Sequence, residues 1–101
     1  MKIKVNQALK GFDDAPLKGD KGVIVTLKDV CINSLLTPIQ GDDEKVKWEK
    51  YEIYRKLKES KVEVELKLEE VTMLKKCVGR IQPPLLMGQV WEILERNGKD
   101  G

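Results

Sequence analysis

Hydrophobic and polar positions change period several times along the chain, and each period indicates an element. Ile3 and Val5 alternate with Lys2, Lys4 and Asn6, the period-two pattern of a half-buried strand, and Val23-Ile24-Val25 is a second β-branched run. These two segments are expected to pair as a hairpin. Between them lie Gly11, Asp13, Asp14, Pro16, Gly19, Asp20 and Gly22, residue types that supply positive φ, fixed φ and local side-chain hydrogen bonds. A turn is the structural reading of that acidic, glycine-punctuated stretch.

From Thr26 the period becomes helical. Leu27, Val30, Cys31, Ser34 and Leu35 share one side. Thr26 with Asp29 three residues on makes a capping box in which Asp replaces the usual Glu. Thr37-Pro38 ends the helix, because proline disfavours the α region in the residue before it. "IQGDDE" is then a linker whose Asp42 or Asp43 can cap a second helix, from Asp43 to Lys58. In that helix Val46, Ile53, Tyr54 and Leu57 fall within about 100° of arc, a core stripe. Trp48, Tyr51 and Arg55 group on another side. Large aromatics beside an arginine are enriched at binding hot spots, so these residues are the candidate partner surface; the alternative is that a further element covers them.

Val62, Val64 and Leu66 alternate with Glu63 and Glu65, a third strand with its acidic residues outward. A helix from Leu68 to Val78 follows, with Val71, Leu74 and Val78 on one side and Met73 and Cys77 adjoining. Its glutamates at the start and its basic end suit the helix dipole, and Gly79 is the expected C-cap. Lys67 stands where Ser, Thr or Asp would cap this helix, which leaves its start undefined. Pro83-Pro84 opens the last helix, which runs to Glu95. The fold class is α+β: a small antiparallel or mixed sheet of two to three strands with about four helices packed against it.

Composition narrows the picture further. At 101 residues the chain is one domain, expected over 1–96 with a flexible tail at 97–101. Lysine and arginine number 19 against 17 acidic residues, and the resulting +2 charge is interspersed, so no basic field advertises nucleic acid. Cys31 and Cys77 lie in helical apolar patterns and are expected buried and reduced. There is no membrane-length apolar run and no signal-peptide segment at the start. A cytoplasmic setting is the default.

The chemistry of sites is mostly missing. The chain has no histidine, the commonest general acid/base and zinc ligand. Neither Ser34 nor Ser60 sits in a nucleophile elbow. The calcium-loop spacing fails from Asp13, because its third position is Ala15 and its sixth is Lys18. The phosphate-loop and dinucleotide glycine patterns are absent. No catalytic residue, cofactor site or metal site is therefore assigned, and an enzyme is not expected. Val71 to Ile93 suggests helix-turn-helix spacing, but the second helix is too apolar to present polar groups to base edges. The alternative function is nucleic-acid binding through Lys45, Lys47, Lys50, Arg55, Lys56 and Lys58, with Trp48 and Tyr51 as stacking groups. Against it, Glu44, Glu49, Glu52 and Glu59 interleave with those cations.

The order of "GFDDAPLKGDKG", "VTLKDVCINSLL", "KWEKYEIYRKL", "VEVELKLEEVTMLKKCV" and "PPLLMGQVWEILE" resembles that of short proteins encoded in phages and prophages. The resemblance implies a phage origin and a bacterial host cytoplasm, and it supplies no activity. The resulting expectation is a non-enzymatic accessory protein that binds a host or phage protein, and itself as a homo-oligomer.

Overall fold

The computed structural model describes the backbone of residues 1–100 and the side chains of residues 1–96; the last helix, expected to end at Glu95, continues to Asp100 through most of the stretch expected as a tail, and Gly101 lies outside the described residues. The elements are β1 (Lys2–Lys4), α1 (Leu27–Leu36), α2 (Glu44–Glu59), β2 (Glu63–Glu65), α3 (Leu68–Ile81) and α4 (Pro84–Asp100), with a short 3-10 turn at Asp20–Gly22. Four helices pack on a two-stranded antiparallel sheet, an α+β fold. No helix among the described residues is long and apolar enough to cross a membrane.

The sheet is not the hairpin expected between Ile3 and Val23. β1 pairs instead with β2, Ile3 opposite Val64, so both strands turn a valine or isoleucine inward and lysines or glutamates outward. The lysines of β1 stand opposite the glutamates of β2, Lys2 to Glu65 and Lys4 to Glu63, an arrangement that favours this register.

The Val23 segment belongs to a separate closed unit built from residues 8–26. Leu17 N–H donates to Leu9 C=O at 2.8 Å, Val25 N–H to Leu17 C=O at 2.8 Å, and Leu9 N–H closes the ring on Val25 C=O at 3.0 Å. Each of these three residues lies eight positions from the next, and the surrounding bonds keep that period. Gly11 N–H donates to Ala15 C=O and Gly19 N–H to Val23 C=O; Asp14 N–H returns to Gly11 C=O and Gly22 N–H to Gly19 C=O. Asp14 and Gly22 both take positive φ, 63° and 73°. The sequence repeats "LKG" at Leu9-Lys10-Gly11 and Leu17-Lys18-Gly19, so two successive turns have the same construction. The β-branched run at Val23 thus pairs locally through isolated bridges.

α1 begins as its sequence indicates. Asp29 N–H donates to Thr26 Oγ1 at 3.3 Å and Thr26 N–H to Asp29 Oδ2 at 3.0 Å, both halves of the capping box. Leu27, Val30, Cys31, Ser34 and Leu35 are the buried side. Asp43, not Asp42, caps α2, accepting from Val46 N–H at 2.9 Å. The Lys28 ammonium donates to Ser60 C=O at 2.7 Å and Lys58 C=O at 3.2 Å, meeting orphan carbonyls and the negative dipole at the end of α2.

The start of α3 is settled by one half of a capping box. Lys67 offers no acceptor, but its N–H donates to Glu70 Oε1 at 2.8 Å. Partial burial opposes ionisation of Glu70, and the Lys56 ammonium at 2.8 Å together with the Lys67 N–H outweighs it, holding the carboxyl below its ordinary value. Gly79 is not a C-cap, because α3 continues to Ile81. Its missing Cβ lets the Trp91 indole of α4 approach, since a Cβ there would meet Trp91 Cζ2 at 3.3 Å. Trp91 Nε1–H donates to Lys75 C=O at 3.0 Å, and the Lys75 ammonium lies 4.6 Å from the ring centroid. α3 contacts α1, α2 and α4, with Val71, Leu74, Cys77 and Val78 in the core.

The capping box generates a direct expectation. Thr26→Ala should lower stability by about 1 kcal/mol. Asp29→Ala should do the same, and the double variant should cost less than the sum because the two side chains serve one motif. Urea unfolding of the four proteins checks this; full additivity would contradict it.

Candidate functional site

On α2 the Trp48 and Tyr51 side chains face solvent, 58% and 45% exposed, so no element covers them among the described residues. Their ring centroids are 5.7 Å apart, and Tyr51 stands 6.0 Å from Tyr54, distances at which tilted aromatic rings attract. The spacing of three residues places the rings in a row along one helical edge. Lys58 Nζ lies 5.9 Å from the Tyr54 centroid at the far end. Tyr54, assigned to the core stripe from sequence, is half-buried and joins the row. Arg55 is exposed, and its guanidinium pairs with Glu59 at 3.7 Å.

The row borders a concavity of about 660 Å³ between the end of α1, the linker at 37–42 and α2, lined by Leu36, Pro38, Ile39, Lys47 and Tyr51 among others. A second concavity of about 570 Å³ opens where α2, α3 and α4 meet. Ile39, Asp42 and Lys50 line both.

Lys50 does not join the exposed cations expected to meet nucleic acid: it is only 6% exposed and its ammonium donates to Asp42. The spacing explains this. Val46, Lys50, Ile53 and Leu57 follow the i, i+4, i+7, i+11 course of one buried stripe. Of the other proposed cations, Lys56 is engaged by Glu70 at 2.8 Å, Arg55 by Glu59 and Lys58 by a tyrosine face. Lys45 and Lys47 remain exposed beside Trp48, with Glu44 and Glu52 one turn away on either side of that ring.

Neither cysteine takes part in a disulfide, and both are buried. Burial pushes the Cys31 thiol up to about 12. Burial also raises Cys77, against the opposing pull of the nearby Lys50 ammonium. Asp13, Asp14 and Asp20 do not converge: among the described residues no group of three or more His, Cys, Asp or Glu side chains could hold a metal ion.

α4 does not present a free recognition face. Val90 and Leu94 are buried, and Leu86, Met87, Trp91 and Ile93 pack on the core. Gln89 serves structure as well: its carboxamide accepts from Lys10 N–H at 2.8 Å and donates to Lys10 C=O at 2.7 Å. It thereby acts as a surrogate strand that pins the first eight-residue turn to α4.

Comparison with known proteins finds no matching family model, curated protein or solved structure.

Two outcomes follow from the buried groups. Asp42→Asn leaves the Lys50 ammonium buried without its carboxylate and should destabilise more than Lys50→Met, which removes the charge and keeps the apolar stem. Chemical unfolding compares them, and a larger loss for Lys50→Met would contradict the assignment. Thiol labelling of the native protein near neutral pH should be slow at both cysteines, because a thiolate is the reactive form; rapid reaction of both without denaturant would contradict it.

Proposed function

We propose that the chain is a non-enzymatic accessory protein of a phage or prophage that acts in the bacterial host cytoplasm by binding another protein, host or phage, through the aromatic edge of α2. The observation that carries this reading is the exposed Trp48–Tyr51 pair beside an apolar concavity. A core of buried aliphatic residues forms without either ring. Exposed aromatics that border an apolar groove contribute little to folding and much to association. The sequence resemblance to phage-encoded proteins supplies the setting.

The surroundings of Trp48 favour protein over single-stranded nucleic acid. A stacking platform works with a basic groove that tracks the phosphates. Here Glu44 and Glu52 flank the ring, and Lys50 and Lys56 are already paired.

Trp48→Ala should change stability by no more than about 0.5 kcal/mol, the usual effect at an exposed position. In pull-downs from phage-infected cells, the same change should remove a protein that the wild type retains reproducibly. A loss of roughly 3–5 kcal/mol would mark Trp48 as a packing residue and defeat the reading. Retention of single-stranded DNA or RNA that fades steeply with salt, and falls further in Lys47→Ala, would replace it with the nucleic-acid reading.

A further inference from the structure

The most exposed large hydrophobic residue is on neither α2 nor α4. Phe12 is 94% exposed at the tip of the first eight-residue turn. The turn itself is fixed: Gly11 N–H donates to Ala15 C=O at 2.9 Å, Ala15 N–H to Asp13 Oδ1 at 3.2 Å, and Gln89 holds Lys10 at its base. Phe12 is therefore an aromatic knob on a braced stem, with the exposed carboxylates of Asp13 and Asp14 beside it. The second turn has Asp20 at the corresponding position, so the repeat does not require an aromatic there.

The concavity between α2, α3 and α4 has the opposite character. Its apolar surface comes from Val46, Met73, Met87 and Trp91, and Lys76 and Arg80 lie at its rim. Both cations are exposed, and neither pairs with a carboxylate among the described residues. At about 570 Å³ it falls within the roughly 300–1,000 Å³ range of sites that enclose small organic groups. Its methionines adapt to an incoming ring.

We infer that the occupant of this groove is the Phe12 turn of a second copy of the chain, with Phe12 seated against Met73, Met87 and Trp91 and with Asp13 and Asp14 facing Lys76 and Arg80. Charge and shape are complementary: an acid-flanked aromatic meets a base-rimmed apolar groove. The turn cannot fill the groove of its own chain. Gln89, which holds the turn, projects from α4 about 200° around the helix from both Met87 and Trp91 at 100° per residue. The contact is therefore intermolecular and heterologous, joining one surface to a different surface, and repetition gives a ring or an open chain of subunits. This inference does not rest on the α2 aromatic edge, which uses different residues.

Sedimentation at increasing protein concentration tests it with two variants that spare the core. Phe12→Ser removes the knob. Lys76→Glu with Arg80→Glu reverses the rim. The wild type should assemble beyond a dimer and do so less at high salt, and each variant alone should associate at least about tenfold more weakly, the scale of a lost hot spot. An equimolar mixture of the two variants should form a one-to-one dimer and nothing larger, because only one good knob and one good groove remain. Circular dichroism confirms that each variant is folded. A wild type that stays monomeric at every concentration overturns the inference, as does self-association indifferent to Phe12→Ser. Variants that fail to pair while the wild type assembles would equally overturn it, and loss of assembly in Trp48→Ala alone would move the self-contact to α2.

Discussion

Burial of α3 against α1, α2 and α4 is the constraint on which the rest of the structure depends. A sheet of two three-residue strands cannot cover four helices, so the core must be closed mainly by helix on helix. Two substitutions from the ordinary apolar pattern make that closure fit. Gly79 admits the Trp91 ring against α3, and Lys50 sits in the α2 stripe where an aliphatic residue would otherwise stand. A buried ammonium is tolerable only with a carboxylate in reach. Asp42 supplies it, and the linker between α1 and α2 is thereby drawn over the junction. That linker lines both concavities through Ile39 and Asp42.

The ring of hydrogen bonds at Leu9, Leu17 and Val25 solves a different problem. Residues 8–26 contain too few consecutive strand positions to add to the sheet, yet their backbone groups still need partners. Closing three short segments on one another meets that need locally. The unit is then joined to the body by Gln89 and by Leu27 N–H, which donates to Gln7 C=O at 2.9 Å. What results is a stiff protrusion, and stiffness lowers the entropy lost when a projecting side chain is immobilised by a partner.

Helix positions were legible in the sequence because periodicity and capping are local. The buried side of α1 and the Thr26–Asp29 box follow directly from residue order. The solvent-facing positions of Trp48 and Tyr51 follow from the angle between them and Ile53 and Leu57. Strand pairing was not legible, since β1 chooses between two β-branched partners far apart in sequence, and the opposed lysines and glutamates decide it only once the register is known. The charge of Lys50 points to solvent, whereas its spacing from Val46, Ile53 and Leu57 puts it in the buried stripe. Gly79 looked like a helix terminator because the ring that packs on it comes from another helix. The eight-residue repeat at "LKG" was present but short, and Phe12 within it gave no sign of exposure, since an aromatic in a turn more often folds back onto the core.

These residues divide into two sets with little overlap. The aliphatic side chains of α1, α3 and α4, with Leu9 and Val64, bury one another and make the fold. The aromatic residues other than Trp91 lie mostly outside that set: Phe12, Trp48 and Tyr51 are exposed and Tyr54 is half-buried. In a small domain, large aromatics are the most effective apolar groups available for stability, and a chain selected for stability alone would place them inside. Here exposed rings stand on braced backbone at two places, Trp48 and Tyr51 along a helix edge beside an apolar concavity and Phe12 alone at a turn tip. Exposed rings carry a solubility cost that the interspersed lysines and glutamates offset. Three of the five aromatic side chains thereby remain accessible to other molecules while the aliphatic core closes without them.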